Sequence, residues 1–560
     1  MARVTKDATA IIPDETLSLI FTFLRSIDPV TYRERSPTQP KSCGAFTAAH
    51  NRSFGWVNVT FVNRRWRHVA INNGTLWTNL TNFLGPHWLN EMVRRSKSAP
   101  LDIDNNNFSS AWKQVNQPLR AVLTLFNARI SCLWLRTPTM DVFNQTFSVR
   151  MDSLQEFSLA LDRRISACPL ANLLDRAPLL RSLRLDLPEL SYAPWGHSAL
   201  NNITSLNLIL QSTKTGILMP ELLNALSRMH YLSELSLKEL HVGTPNLSCS
   251  HRCSATPDDL IILNSMKSMI VDSPLETHAH ILRHIRVPSH TRLALVSPNT
   301  VTPETCSSSK IAFVHEALAH ELGPFMRSYA VKPMFHSAYL NFESNWNGVT
   351  ASLGLSRQAH PERPIPGVLL CSKHPHATLT NDFTVHFHDA QAPIILPLLP
   401  LPTIRALTVL DAGISLARAH LAFFPGVQRL RLCVSQLNSL YGISFLEDTA
   451  VLPNLRVLDT DANVFVLRTV LMCFTSHGLH VVPERFPALE NVFEARRQTA
   501  TPIEAIYLHV EEEIALVKQG RIAETSCKKL REDIVRESIR RLEGVYGVQI
   551  VRKDFDVFSL

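Results

Sequence analysis

The sequence predicts an α/β protein: a short N-terminal three-helix module followed by an α/β solenoid. Three observations predict it. Apolar residues recur at helical spacing in three separate blocks within the first eighty residues. From about residue 128, one template (apolar, two polar, apolar, one polar, apolar) returns again and again. Between its copies lie helix-like stretches such as Pro220–Met229. Strand-sized pieces alternating with helical pieces build parallel sheets.

The first block is Ile12-Pro-Asp-Glu-Thr-Leu-Ser-Leu-Ile-Phe-Thr-Phe-Leu24. Leu17, Ile20, Phe21 and Leu24 fall at i, i+3, i+4 and i+7, on one helical face. Pro13 suits a helix start, and Asp14 and Glu15 suit the positive end of the helix dipole. The second block, Trp56 to Ala70, reads as a helix with Trp56, Val59, Val62, Trp66 and Val69 on one stripe. Arg64, Arg65 and Arg67 fall off that stripe and should reach solvent or an acidic neighbour. Asn72-Asn73-Gly74 signals a turn or cap before Leu76-Trp77. Such small helices bury little area alone and need a neighbour to complete a core. Residues 25–70 hold eight Lys/Arg and two Asp/Glu, a net of +6 (8 − 2). That charge suits an acidic partner surface and would mainly speed association.

These blocks resemble the F-box family, in the form common among fungal F-box-like proteins. The family pattern is roughly Leu-Pro-x-Glu-Leu-Leu-x-x-Ile-Phe-x-x-Leu, a spacer, Val-Cys-Arg-x-Trp-Arg and a closing Leu-Trp. Ile12-Pro13, Glu15, Leu17, Ile20-Phe21 and Leu24 match the first part. Val62, Arg64, Trp66 and Arg67 match the second, and Leu76-Trp77 the third. The chain departs from the pattern at Ile12, Thr16 and Asn63, and its spacer from Arg25 to Gly55 is long. The resemblance implies docking to the Skp adaptor of a cullin-RING ubiquitin ligase. Pro13, Leu17, Ile20, Phe21, Leu24, Val62 and Trp66 would form or support that contact. An ordinary helical domain with Trp56, Trp66 and Trp77 in its core is the other reading of the same residues.

The template reads Ile130-x-x-Leu133-x-Leu135, Leu154-x-x-Phe157-x-Leu159, Leu180-x-x-Leu183-x-Leu185, Ile203-x-x-Leu206-x-Leu208 and Leu232-x-x-Leu235-x-Leu237. It returns at Ile404-x-x-Leu407-x-Val409 and Val427-x-x-Leu430-x-Leu432, with Leu455-x-x-Leu458 and Leu489-x-x-Val492 as weaker copies. A strand and helix at this period is the leucine-rich-repeat signature, in which stacked units complete one another's cores. The repeat asparagine is mostly missing, so the array is degenerate, and other parallel α/β folds share the alternation. Pro178, Pro425, Pro453 and Pro487 each precede a copy by two residues, where a helix should stop. The expected organisation is an F-box-like domain over 8–82 with a polar insert at 25–55, linker helices over 83–127, the array over 128–501 with irregular insertions at about 240–400, and a C-terminal helical cap and final strand over 502–560. Within the insertions, Met266 to Val271, Leu293 to Leu295 and Phe383 to Phe387 read as strands, whereas 242–257, 297–310 and 356–380 read as loops or exposed segments. In the tail, Val510, Ile514 and Val517 share a helical face, and Val548 to Val551 reads as a strand.

The remaining composition bounds function. There are 18 Gly, and neither G-x-G-x-x-G nor G-x-x-x-x-G-K occurs. Ten scattered Cys read as reduced and intracellular, and no apolar leader precedes Asp14. A cytoplasmic or nuclear protein is expected, with no membrane span. The formal charge of +8 does not call for nucleic acid. Cys249-Ser-His-Arg-Cys253 lacks a second ligand pair at zinc spacing; the next histidines, His278, His280 and His284, lie about 25 residues on. His315 and His320 are five apart, about 140° round a helix, and fail the zincin geometry. His386 and His388 share a strand face without a third ligand. No catalytic residue, cofactor or metal site is expected, and no nucleophile, acid and base can be assembled within 240–400. The expected role is substrate recognition for an SCF-type (Skp–cullin–F-box) ubiquitin ligase. The chain would dock the adaptor and cullin through the F-box and bind an unknown protein substrate through the array. The alternative is an interaction scaffold without ligase coupling.

Overall fold

The structure is a computed structural model. It describes residues 11–32, 52–108, 116–136, 149–161, 170–187, 194–210, 219–239, 260–273, 275–296, 335–345, 348–357, 383–388, 392–410, 420–433, 446–461, 487–499, 502–510 and 548–554, with a few single positions and short pieces between. The protein is mixed α/β with extensive parallel sheet. The chain forms two compact units, Met1–Thr244 with Leu263–Ser265, and Pro245–Ile262 with Met266–Leu560.

The first unit opens with helix α1 (Asp14–Ile27), whose first turn carries Asp14 and Glu15. Strand β1 (Thr31–Tyr32) pairs antiparallel with β2 (Arg52–Ser53), which brings together the two ends of the long spacer. The expected second helix is two pieces. A 3₁₀ helix, Gly55–Phe61, ends at Val62, and helix α2 (Arg64–Asn72) starts afresh. The reason is Asn63: extended, with its side chain accepting the Trp66 N–H at 2.8 Å, it acts as the N-cap of α2. The stripe is therefore broken. Trp56, Val59 and Val69 are buried, but Val62 is 57% exposed. Gly55 has φ +51°, and a Cβ there would lie 2.4 Å from the Pro29 carbonyl oxygen, so glycine is required where the chain re-enters against α1. Asn73 caps the last 3₁₀ turn, Gly74–Trp77, accepting from the Thr75 N–H at 3.1 Å.

A parallel sheet follows at once. Strands β3 (Asn79–Leu80), β4 (Leu101–Asp104), β5 (Ile130–Arg136), β6 (Glu156–Ala160), β7 (Ser182–Leu187), β8 (Ser205–Leu210) and β9 (Glu234–Lys238) pair in sequence order. Helices α3 (Pro86–Arg95) and α4 (Asn116–Leu125) separate β3, β4 and β5, so the sheet begins at Asn79, ahead of the first template copy. The template columns are in register: Leu133, Phe157, Leu183, Leu206 and Leu235 are partners, as are Leu135, Leu159, Leu185, Leu208 and Leu237. All ten are at most 1% exposed. Each such burial stabilises by about 1.5–3 kcal/mol.

The first template position has its own role. The N–H groups of Leu154, Leu180, Ile203 and Leu232 bond to the carbonyls of Met151, Ala177, Leu200 and Met229, at 3.0–3.1 Å. The same turn recurs in the second unit at Ile404, Val427 and Leu455. Pro178, Pro425 and Pro453 are the second residue of these turns, where a fixed φ favours the bend. Pro487 differs. It opens the helix Pro487–Arg497, so Leu489-x-x-Val492 is helical and not a strand copy.

In the second unit, β10 (Ile261–Ile262) pairs with β12 (Ile285–Arg286), and β11 (Ser268–Asp272) pairs with β13 (Arg292–Val296), both parallel. The poorly patterned middle holds strands that the template does not foresee. β14 (Ser337–Asn345) and β15 (Gly348–Ser356) form an antiparallel hairpin, and β15 is antiparallel to β16 (Phe383–His388). β16 lies beside β13 and β14 beside β17 (Ala406–Leu410), both parallel. β18 (Arg429–Cys433), β19 (Val457–Asp461), β20 (Ala505–Val510) and β21 (Gln549–Asp554) continue in parallel. The tail is thus not helical from Pro502. Ala505–Val510 is a strand whose Ile506 pairs with Leu458 and Ile550, so the interior of a sheet, not a helix face, uses its apolar residues. Ile514 and Val517 lie outside the described residues, as do Cys249, Cys253 and His315. No helix among the described residues is long and apolar enough to cross a membrane.

Candidate docking surface

The N-terminal helices build a small aromatic core. Trp77 is fully buried, stacks edge-on against Trp56 at 4.9 Å, and donates its indole N–H to the Ala70 carbonyl at 2.8 Å. The Arg95 guanidinium covers Trp77 at 4.4 Å, held by Glu91 at 2.7 Å. The Arg94 and Arg95 guanidiniums bonded to Glu91 hold its carboxyl down at about 2, Arg94 contributing most and partial burial opposing. Phe21 is buried against Trp66 at 5.3 Å. Ser18 Oγ accepts from Asn73 Nδ2, and Arg25 donates to the Thr75 carbonyl at 2.6 Å. Ser18, Phe21 and Arg25 thus fix the side of α1 that faces the body.

That geometry divides the expected contact residues. At about 100° per residue, and with Leu19 set at zero, Phe23 lies near 40°, Ile27 near 80°, Ile20 near 100°, Leu24 near 140°, Leu17 near 160° and Phe21 near 200°. Leu17 and Phe21, at one end of this arc, are 1% and 0% exposed. Leu19, Ile20, Phe23 and Ile27, at the other end, are 61%, 44%, 69% and 79% exposed. Leu24, between them, is half-buried. The helix is apolar over about 200°, and its own protein covers only about half of that. Of the seven expected residues, Leu17 and Phe21 serve the core, Trp66 is half-buried on Phe21, and Ile20, Val62 and Pro13 are exposed. Leu19, Phe23 and Ile27 were not among them. Their spacing of i, i+4 and i+8 is the signal, masked because the neighbouring stripe carries the residues that resemble the F-box pattern.

The basic patch is partly used internally. Arg65 donates to Asp14 at 2.7 and 2.9 Å and to the Ile12 carbonyl, pinning the start of α1 to α2. Arg67 donates to the Thr60 carbonyl at 2.7 Å. Arg64 is exposed. Elsewhere, His278 is buried and donates from Nε2 to the Val271 carbonyl at 3.1 Å. His280 stacks on His284 at 4.8 Å, and burial, then His284 and Arg283, push it down to about 4. Among the described residues, no group of three His, Cys, Asp or Glu is placed to hold a metal ion. His386 and His388 lie on β16, across from Ser352 and Thr350 of β15.

No protein-family model and no curated protein matches this chain. The functional argument therefore rests on the residues themselves. An exposed apolar helix face can bind a complementary apolar surface.

Proposed function

We propose that this chain is the substrate-recognition subunit of an SCF-type ubiquitin ligase. The F-box-like helices dock the Skp adaptor, and with it the cullin. The strand–helix array, read as a degenerate leucine-rich-repeat solenoid, holds a protein substrate. The observation that carries the reading is the uncovered half of α1, because Leu19, Ile20, Phe23 and Ile27 form an apolar stripe on the helix that carries the family motif. The chain performs no covalent step in this scheme. It raises the local concentration of substrate lysines near a loaded ubiquitin carrier.

The test is co-purification of the full chain with a Skp adaptor. A stoichiometric complex supports the reading. A folded chain that does not bind adaptor contradicts it and leaves an interaction scaffold as the better account. Docking is probed with Ile20→Asp plus Phe23→Asp. Phe21 is unsuitable, since a buried carboxylate there would unfold the module.

A further inference from the structure

In the second unit, helix α5 (Leu275–His284) leads from β11 to β12 and carries His278, His280 and His284. His278 is 1% exposed and donates to the Val271 carbonyl, so it anchors the helix to β11. His280 and His284 are four residues apart, on one face of the helix. Their ring centres lie 4.8 Å apart, with the rings tilted by 48°. Two imidazoles on one tetrahedral zinc, each nitrogen about 2.1 Å from the ion, have ring centres about 5 Å apart. The pair is therefore set at the separation that shared coordination needs. His284 is buried and His280 half-buried, so water competes little for an ion held there.

Two histidines are half of a structural zinc site, which takes four ligands. The other half stands earlier in the chain. Cys249-Ser-His-Arg-Cys253 and His280-Ile-Leu-Arg-His284 read C-x3-C and H-x3-H, each at the spacing zinc ligands use, with 26 residues between them (279 − 253). Strand pairing closes that gap. Ile261 of β10 pairs with Ile285 of β12, the residue directly after His284. Paired strands lie about 5 Å apart. Cys253 precedes Ile261 by eight residues (261 − 253), a tether of at most about 27 Å. Both pairs belong to the second unit, and the cysteines are within reach of the histidines.

We infer that Cys249, Cys253, His280 and His284 bind one zinc ion as a closed structural site. Each thiol gives its proton to solvent as its Zn–S bond forms, and the two thiolates cancel the charge of the ion. Four protein ligands leave no open position for a substrate. The ion does no chemistry; it staples the segment that carries the cysteines to the end of α5. This site is separate from α1 and does not rest on the ligase reading.

The test is metal uptake by the full chain, kept reduced. The metal-stripped chain, titrated with zinc in competition with a chromophoric chelator, should take up one tightly bound equivalent. Cobalt in its place should show the charge-transfer absorption of thiolate ligands and the intense visible bands of a tetrahedral site. Cys249→Ser with Cys253→Ser, and separately His280→Gln with His284→Gln, should each weaken binding at least about hundredfold. His386→Gln with His388→Gln should leave it within about twofold. Zinc should raise the melting temperature of the parent but not of the cysteine variant. The inference is overturned if the stripped parent takes up no tight zinc, if cobalt shows no thiolate absorption, or if either ligand-pair variant binds as the parent does. The cysteine variant and the cobalt spectrum of the parent decide the matter even where removing His284 loosens α5. Skp-adaptor capture reads α1, so failure here leaves the proposed function standing.

Discussion

The outer arc of α1 and the outer face of the first unit's sheet both meet solvent, yet they are made of opposite residues. On the sheet, the columns through Leu133 and Leu135 are buried, and the alternate residues that face away from them are mostly Asp, Glu, Ser, Arg, Asn and Lys, with Cys132, Trp134, Ala160 and Ile209 among them. On α1, apolar side chains continue past the core and onto the open side. A sheet repeat completes its core with its neighbours and leaves a polar face. The helix keeps an apolar half that nothing within the described residues covers. Surface of that kind is costly to leave in water and is retained where a partner covers it.

The largest effect expected from this contrast separates Phe21 from Phe23, two residues apart on one helix. Phe21→Ala empties a fully buried site and should cost about 3–5 kcal/mol. Phe23→Ala should change stability by less than about 0.5 kcal/mol. Thermal or denaturant unfolding measures both, and equal costs would mean that α1 does not have the two sides described here.

Next comes Arg496, 1% exposed, which donates to the carbonyls of Leu446, Val451 and Leu452 at 2.9, 2.5 and 3.0 Å. Arg496→Met should cost about 2–4 kcal/mol by leaving those carbonyls unpaired, and it should unfold the second unit more easily without touching adaptor binding. Asn63→Ala removes the cap that separates the 3₁₀ turn from α2 and should cost about 1 kcal/mol, whereas Asn63→Ser should cost less.

The smallest effect is electrostatic. Glu91 is held down at about 2 by Arg94 and Arg95, so its contribution is present above the ordinary carboxylate value of 4.5. It is lost as pH falls from there through about 2. Glu91→Gln should remove that part of the acid sensitivity and, being screened by water, cost less than about 1 kcal/mol at neutral pH. Denaturation midpoints of the variant and parent, converging as pH falls through this window, check the sign.

Much of the sheet was legible because one residue type per turn decides it. The template's three apolar positions became a turn and two strand columns, and the prolines at 178, 425 and 453 fell inside that turn. The middle was only partly legible: β11, β13 and β16 match the strands that alternation predicts, whereas the β14–β15 hairpin lacks the preceding turn that marks the template. The tail misled because Val510, Ile514 and Val517 fit a helical stripe, while pairing with β19 decides the state of Ala505–Val510. At the candidate docking surface, periodicity found the apolar side of α1 but not which part of it faces inward. That depends on Trp66, Asn73 and Thr75, which are near only after folding. The break at Asn63 was hidden because a capping asparagine and a mid-helix asparagine look alike in sequence.

The measurement that tests the central claim most directly sets the full chain beside its Ile20→Asp, Phe23→Asp variant, following both melting and Skp-adaptor capture. The account predicts matching melting curves and loss of capture in the variant alone. A variant that melts with the parent and still captures adaptor at full strength would contradict it, because the uncovered arc of α1 would then not be the docking face.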